Sequence, residues 1–217
     1  MKIKILLTSD IHGSELAVKK LRAIKNCFDY FIFCGDLLPK FVDEDKSLKE
    51  VQQEWFYNIF LPLAEEINGY FILGNDDKIH YEGKRLLNDP LEIENGISII
   101  SYDKVPLTPF NTWRELSDDL IEEQLQKLTV KKPFIFITHA PPFKILDEAR
   151  RRNFGSKAIR DFVFKENPLV HCFGHIHESF GDIKINDVTF INCAFETFLK
   201  FYIIEIDENL NVETYEL

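Results

Sequence analysis

Five apolar runs in this chain stop abruptly at a polar residue. The run 3–9 stops at Asp10, with His12 two places on. The run 30–35 stops at Asp36, 70–74 at Asn75, 134–138 at His139, and 169–174 at His175, with His177 two places on. Short continuous apolar runs bounded by Gly read as strands buried on both faces. In open α/β sheets, ligands bind beyond the carboxyl ends of such strands. The pattern predicts that one sheet brings seven side chains of metal-ligand type to one rim, a number that suits two ions sharing a bridging carboxylate.

Between the runs the apolar spacing changes to steps of three and four, which marks helices. Ser14 is placed to cap one running to about Lys25, with Leu16, Ala17, Leu21 and Ile24 inward. A longer helix is expected after Asp43, Glu44 and Asp45, whose charges suit a helix N-terminus. Its stripe is Leu48, Val51, Trp55, Ile59 and Leu63, with Pro62 expected to kink or break it. Ser117 with Asp118 and Asp119 opens another, with Leu120, Ile121, Leu125 and Leu128 inward. Ser156 opens a fourth, with Ile159, Phe162 and Val163 inward. Ile97 to Tyr102 reads as a strand. Val188 to Asn192, Lys200 to Ile206 and Val212 to Tyr215 read as consecutive antiparallel strands. The expected architecture is α/β, a pair of packed mixed sheets with helices on the outer faces. No repeat, low-complexity tract or linker divides residues 1–217, so one domain is expected.

Composition narrows the chemistry. Hydrophobic residues make up 45 % of the 217, enough for a substantial core. The formal net charge of −10 argues against a nucleic-acid partner held through many phosphates. It leaves a small phosphate ester open, because bound cations make a site locally positive. Cys27, Cys34, Cys172 and Cys193 form no C-x-x-C pair and read as free thiols, three of them inside apolar runs. The N-terminal run is too short for a signal-peptide core, and no segment has the length of a membrane span. A soluble cytoplasmic protein is therefore expected.

Singly, each motif has an ordinary explanation. Asp10 and the pairs Gly35-Asp36 and Gly74-Asn75 are common turn formers. His139, just before Ala140-Pro141-Pro142, could be a satisfied structural histidine. Gly174-His175-Ile176-His177 is harder to explain, since two imidazoles after an apolar strand are costly to bury for stability alone. The conjunction at five strand ends favours a metal site. Its Asp, Asn and His donors, with no thiolate, suit Mn²⁺, Fe²⁺, Zn²⁺, Co²⁺ or Ni²⁺.

The order D-x-H, G-D, G-N, T-H-x-P-P, G-H-x-H, spanning Asp10 to His177, resembles that of the calcineurin-like metallophosphoesterases. The segments 138–142, 155–160 and 174–179 are most similar to a small prokaryotic branch, predicted phosphoesterases related to the Icc cyclic-nucleotide phosphodiesterase. The resemblance implies a four-layer sandwich of two mixed sheets flanked by helices. It also implies that Asp10, His12 and His177 hold one ion, that Asn75, His139 and His175 hold the other, and that Asp36 bridges them. Asp36, Asn75, Asp76 and His139 would be catalytic. The implied reaction is hydrolysis of a phosphomonoester or phosphodiester by a hydroxide shared between ions about 3.5–4 Å apart.

One position departs from the pattern. Asp76 stands where many members have a His that stabilises the transition state or protonates the leaving group. Near two cations an aspartate is ionised and is a poor acid. Asp77 keeps a carboxylate that could orient a ligand. His80 reads as a surface histidine and His171 as structural. Arg150, Arg151 and Arg152 stand out in an acidic chain. They read either as a contact for substrate phosphate or carboxylate or as a solvated helix face shared with Asp147 and Glu148. Two rival functions stay open. One is a nuclease, disfavoured by the net charge. The other is a non-catalytic metal-binding scaffold, like the retromer subunit with this fold, favoured by the missing His.

Overall fold

The apolar runs form strands whose two faces carry different side chains. In the computed structural model, which describes residues 2–41 and 45–217, chain order runs β1 (Ile3–Thr8), α1 (Glu15–Ala23), β2 (Tyr30–Cys34), α2 (Leu48–Trp55), α3 (Leu61–Glu66), β3 (Gly69–Ile72), β4 (Leu91–Glu92), β5 (Ser98–Tyr102), β6 (Val105–Pro106) and β7 (Glu115–Leu116). Then follow α4 (Asp118–Leu125), β8 (Phe134–Thr138), β9 (Glu148–Ala149), β10 (Arg152–Asn153), α5 (Lys157–Glu166), β11 (Val170–Phe173), β12 (Gly181–Ile185), β13 (Val188–Asn192), α6 (Phe195–Phe198), β14 (Tyr202–Ile206) and β15 (Val212–Glu216).

Two mixed sheets result. One has the order β15-β14-β1-β2-β3, the other β12-β13-β11-β8-β5-β4. The central pairings are parallel; antiparallel strands extend the first sheet on its β14–β15 side and close the second at both edges. Side chains alternate across each strand. Ile5, Leu7, Ile32, Ile72, Ile135, Ile137, Cys172 and Ile191 pack between the sheets. Phe31, Phe33 and Phe71 point the other way, onto α1, α2 and α3. Phe134, Phe136 and Phe173 do the same against α4 and α5. The central strands thus turn mainly aliphatic side chains to the middle layer and phenylalanines to the two helix-facing layers. The expected α/β architecture of two packed mixed sheets with helices outside is the one observed.

Several expectations need correction. The polar strand ends do not belong to one sheet: Asp10, Asp36 and Asn75 follow strands of the first, His139 and His175 strands of the second. β13 does not pair with β14 but lies parallel to β11 in the second sheet, because the chain crosses between sheets after residue 192. β14 starts at Tyr202 rather than Lys200, since Leu199 is left-handed and ends α6. Leu16 and Leu120 face outward, leaving Ala17, Val18 and Leu21, and Ile121 and Leu125, as the buried positions. Asp43 and Glu44 lie outside the described residues; α2 is capped by Ser47, whose hydroxyl and Glu50 form a capping box. Pro62 does not break the helix. The preceding Phe56–Phe60 widens into a π turn, with Leu61 N–H donating to Phe56 O, and proline enters at the start of α3 where its missing N–H is harmless. Arg150 and Arg151 are not on a helix. They form the tip of the β9–β10 hairpin, both with positive φ, and Asp147 turns inward to accept from Lys144 N, Gly155 N and Asn153 Nδ2. No described helix is long and apolar enough to cross a membrane.

His171 is structural, as expected. Its Nε2 donates to Thr138 Oγ1 at 2.9 Å, because that hydroxyl is already donating to Ala140 O. Nδ1 is buried without a partner among Phe136, Phe173 and Phe190. Burial pushes the imidazole down from 6.5 to about 3. The unfolded chain then binds a proton below 6.5 that the fold refuses until about 3. Stability contributed by the neutral ring is complete above 6.5 and lost as pH falls through that window. We expect the midpoint of urea unfolding in His171→Phe to depend less steeply on pH between 3.5 and 6.5 than in wild type. Parallel pH profiles would assign the titration elsewhere.

Candidate metal centre

The two sheets meet at a rim where charged side chains are buried. β1 and β2 end side by side, with Asp10 N–H donating to Gly35 O and His12 N–H to Asp36 O. β8 and β11 do the same, Gly174 N–H donating to His139 O. Hydrogen bonds also cross between the sheets. His139 Nδ1–H donates to Cys34 O at 2.8 Å, and His175 N–H donates to Asp10 Oδ2 at 2.9 Å.

All seven candidate ligands converge here. Asp10, His12 and His177 offer atoms within 4.8 Å of one another, as do Asp36, His139 and His175. His139 Nε2 lies 3.3 Å from Asp36 Oδ2 and 3.0 Å from Asn75 Oδ1, and His177 Nε2 lies 2.9 Å from Asp10 Oδ1. His12 Nε2 is 3.8 Å from Asp10 and 3.9 Å from Asp36, so Asp36 adjoins both groups. Asp76 also faces inward, with an oxygen in one group with His12 and Asp36. His80 does not join them; it is exposed and lies against Trp113. Arg150, Arg151 and Arg152 are exposed on a hairpin that leans on the turn His177–Ser179, Ser179 Oγ donating to Glu148 O.

The backbone is strained at these positions. Asp10, His12, Asp36 and His175 all have positive φ, which costs a non-glycine residue on the order of 1–3 kcal/mol. The glycines are required by contact. A Cβ on Gly74 would overlap the Asp36 carboxylate and amide, and one on Gly174 would overlap Asp10 Oδ2 and Ser9 Oγ. Each strand therefore comes close enough for its neighbour's carboxylate to occupy side-chain space.

Charges are balanced locally. Burial pushes the Asp10 carboxyl up, but His177, His139 and His12 outweigh it and hold Asp10 well below the carboxylate range. The same contest, with His139 as main partner, leaves Asp36 at about 2. Burial pulls His139 down, yet Asp36 and Asp10 raise it to about 10. Burial pushes His12 and His175 down to about 4. Both ring nitrogens of His12 are buried with no hydrogen-bond partner among the described residues. An unpaired buried polar group costs about 1–3 kcal/mol, and a cation beside Asp10 and Asp36 would satisfy it. The donor set therefore fits divalent metal.

Further residues support the rim, and of these the sequence pattern marks Asp77 alone. Asn75 Nδ2 donates to Thr112 Oγ1, which itself donates to Glu115, so the amide oxygen of Asn75 is left facing His139. Arg114 donates to Gly74 O, Asp77 O and Ile79 O, clamping the loop after β3. Asp77 accepts from Leu37, Leu38 and Gly74 N–H, joining the loops after β2 and β3; burial and Asp36 push its carboxyl up to about 7 despite these donors. Glu196 lies against His177, 2.8 Å from Nδ1. None of these supporters but Asp77 adjoins a motif, so no local signal marked them.

The profile of calcineurin-like phosphoesterases matches residues 3–179. The chain belongs to that family. UPF0046 protein K07C11.7 of Caenorhabditis elegans is 28 % identical over 127 residues, 58 % of this chain and 40 % of that protein. The chain thus spans well under two thirds of that relative. Among solved structures, TT1561 of Thermus thermophilus superposes with a TM-score of 0.67 at 16 % identity, covering 99 % of both chains. The phosphopantetheinyl hydrolase of Mycobacterium tuberculosis gives 0.55 at 13 % identity, covering 89 % of each. Both likenesses concern the metallophosphoesterase fold.

Gly174→Ala tests the close approach. Overpacking costs about 1–3 kcal/mol, which at this size corresponds to a melting-temperature drop of roughly 2–12 °C. Gly96, with open space around its Cβ position, is exposed in a turn remote from the rim but has positive φ; Gly96→Asn keeps that conformation accessible and is expected to change melting by less than Gly174→Ala does. Equal, small effects measured by calorimetry would contradict the packing account.

Proposed function

We propose that residues 1–217 form one catalytic unit, a phosphoesterase that binds two divalent cations and hydrolyses a small phosphomonoester or phosphodiester. Asp10, His12 and His177 would hold one cation, Asn75, His139 and His175 the other, and Asp36 both. The observation that carries the reading is His12, buried among carboxylates with neither ring nitrogen satisfied. When bound, such a pair of cations supplies Lewis acidity, making hydroxide available near neutral pH and neutralising charge on phosphoryl oxygens.

The protein's own groups have separable tasks. The Cys34 carbonyl fixes the His139 tautomer with Nε2 turned inward, and Thr112 fixes the Asn75 amide. Asp76 N–H donates to Asp36 Oδ1, leaving Oδ2 beside His139 and His12. Arg150, Arg151 and Arg152, with no ion pair among the described residues, are proposed to meet an anionic part of the substrate. Mn²⁺ is our first choice of metal, with Fe²⁺, Zn²⁺, Co²⁺ and Ni²⁺ also compatible with these ligands. The four free cysteines, with Cys34 and Cys193 sulfurs 3.7 Å apart, suit a reducing cytoplasm. A second reading, a metal-binding scaffold without turnover, is favoured by Asp76.

Metal content and turnover together test the proposal. Chelation is expected to lower the melting temperature and Mn²⁺ to restore it, since a ligand of the folded state alone stabilises it. Asp36→Asn is expected to lose both ions by elemental analysis and Asn75→Ala chiefly one. Loaded wild type that hydrolyses no aryl phosphate ester would favour the scaffold.

Asp76 makes a further expectation. Without an acid there, a basic alkoxide leaves slowly, since general acid help is worth about 10²–10⁴-fold. Aryl esters are expected to turn over faster than alkyl ones, with steep dependence on leaving-group pKa. Asp76→His is expected to flatten that dependence and His80→Ala to leave it unchanged. A flat wild-type series, with chemistry rate-limiting, would show that another group supplies the proton.

A further inference from the structure

His177 has acceptors on both sides of its ring. Nε2 faces Asp10 Oδ1 at 2.9 Å, and Nδ1 faces Glu196 Oε2 at 2.8 Å. Only one of these contacts belongs to the motif pattern. Glu196 lies beyond residues 3–179, the span shared with the family profile.

The fold explains why Glu196 is there. After β13 the chain leaves the second sheet and returns to the first as β14, and it makes that crossing over the end of β1. Ser9 N–H donates to Cys193 O, and Phe195 N–H donates to Ser9 O. Phe195 is buried and stacks on Phe201, which pins the crossing segment. Glu196, the next residue, then points back over the rim. Its Oε2 is 3.9 Å from His12 Nε2 and 2.8 Å from Lys40 Nζ. Lys40 therefore holds the same oxygen that meets His177.

We infer that Glu196 is a positioning residue: it accepts the His177 Nδ1–H, so that Nε2 is the nitrogen left to give its lone pair to a cation beside Asp10 and His12. The inference rests on the metal-site reading proposed above. A ligating imidazole must lose the proton on one nitrogen and keep it on the other, and an acceptor at the second nitrogen selects that tautomer and fixes the ring plane. His139 has a backbone carbonyl in this role, Cys34 O. For His177 the Glu196 carboxylate takes the place of that carbonyl. Because Glu196 is half-exposed and its anchor is Phe195, its side chain can be replaced without opening the core.

The test uses Glu196→Ala and Glu196→Gln beside wild type, with circular dichroism melts confirming that each folds. Mn²⁺ is titrated in competition with a chromophoric chelator, and long-range ¹H–¹⁵N correlations of the Zn²⁺-loaded proteins report which His177 nitrogen is protonated. We expect Glu196→Ala to weaken one of two ions by roughly 10–100-fold while sparing the other. The wild-type His177 ring is expected to be protonated at Nδ1 alone, with that proton signal lost or exchange-broadened in Glu196→Ala. Glu196→Gln, whose amide oxygen still accepts, is expected to recover most of both readouts. Wild type binding two ions while Glu196→Ala binds both with unchanged affinity and an unchanged Nδ1–H signal would overturn the inference and leave the metal-site reading standing. Wild type that takes up no ion would overturn both.

Discussion

Burying two carboxylates at the meeting line of two sheets is the constraint on which the rest of this structure turns. Asp10 and Asp36 are almost completely removed from water, and an unpaired buried charge costs several kcal/mol. Amides and imidazoles offset that cost: His175 N–H and His177 on Asp10, Asp76 N–H and His139 on Asp36. Aiming those donors requires the chain to turn sharply as each strand ends, hence the positive φ at Asp10, Asp36 and His175. It also requires neighbouring strands to approach without a Cβ, hence Gly74 and Gly174. Strain and desolvation are concentrated in one place, and cations would offset the desolvation.

The division of apolar side chains makes that concentration sustainable. Branched aliphatics between the sheets interlock closely, and the phenylalanines on the outer faces give the helices broad surfaces to cover. Sheets so packed cannot slide without losing contacts on both faces. The position of His139 relative to Asp36 is therefore set by side chains well below the rim.

Much of this was legible in the chain. The short continuous apolar runs, and their abrupt polar ends, located the central strands and the residues that gather beyond them. Ser14, Ser117 and Ser156 marked helix starts correctly because capping is a local event. What escaped was long-range. Sheet membership depends on pairing between strands far apart in sequence, so one sheet was expected to carry the rim that two sheets share. Leu16 and Leu120 were placed inward because apolarity alone cannot say how wide a buried stripe is. The arginine hairpin has no period to betray it. Thr112 and Arg114 sit in an irregular segment and Glu196 in the four-residue α6, and their importance comes only from what they touch.

The strand order has a consequence for how the chain is made. β1 lies between β2 and β14, so its first partner follows soon after it while its second emerges almost two hundred residues later. Synthesis proceeds from the N-terminus at about 5–20 residues per second. For that interval of roughly ten seconds or more, β1 has an open hydrogen-bonding edge, a template for wrong pairing. The half of the rim that carries Asp10 and Asp36 has to wait for the same closing strand. A nascent chain held just short of residue 202 would accordingly be a species that needs shielding, whatever the finished protein binds.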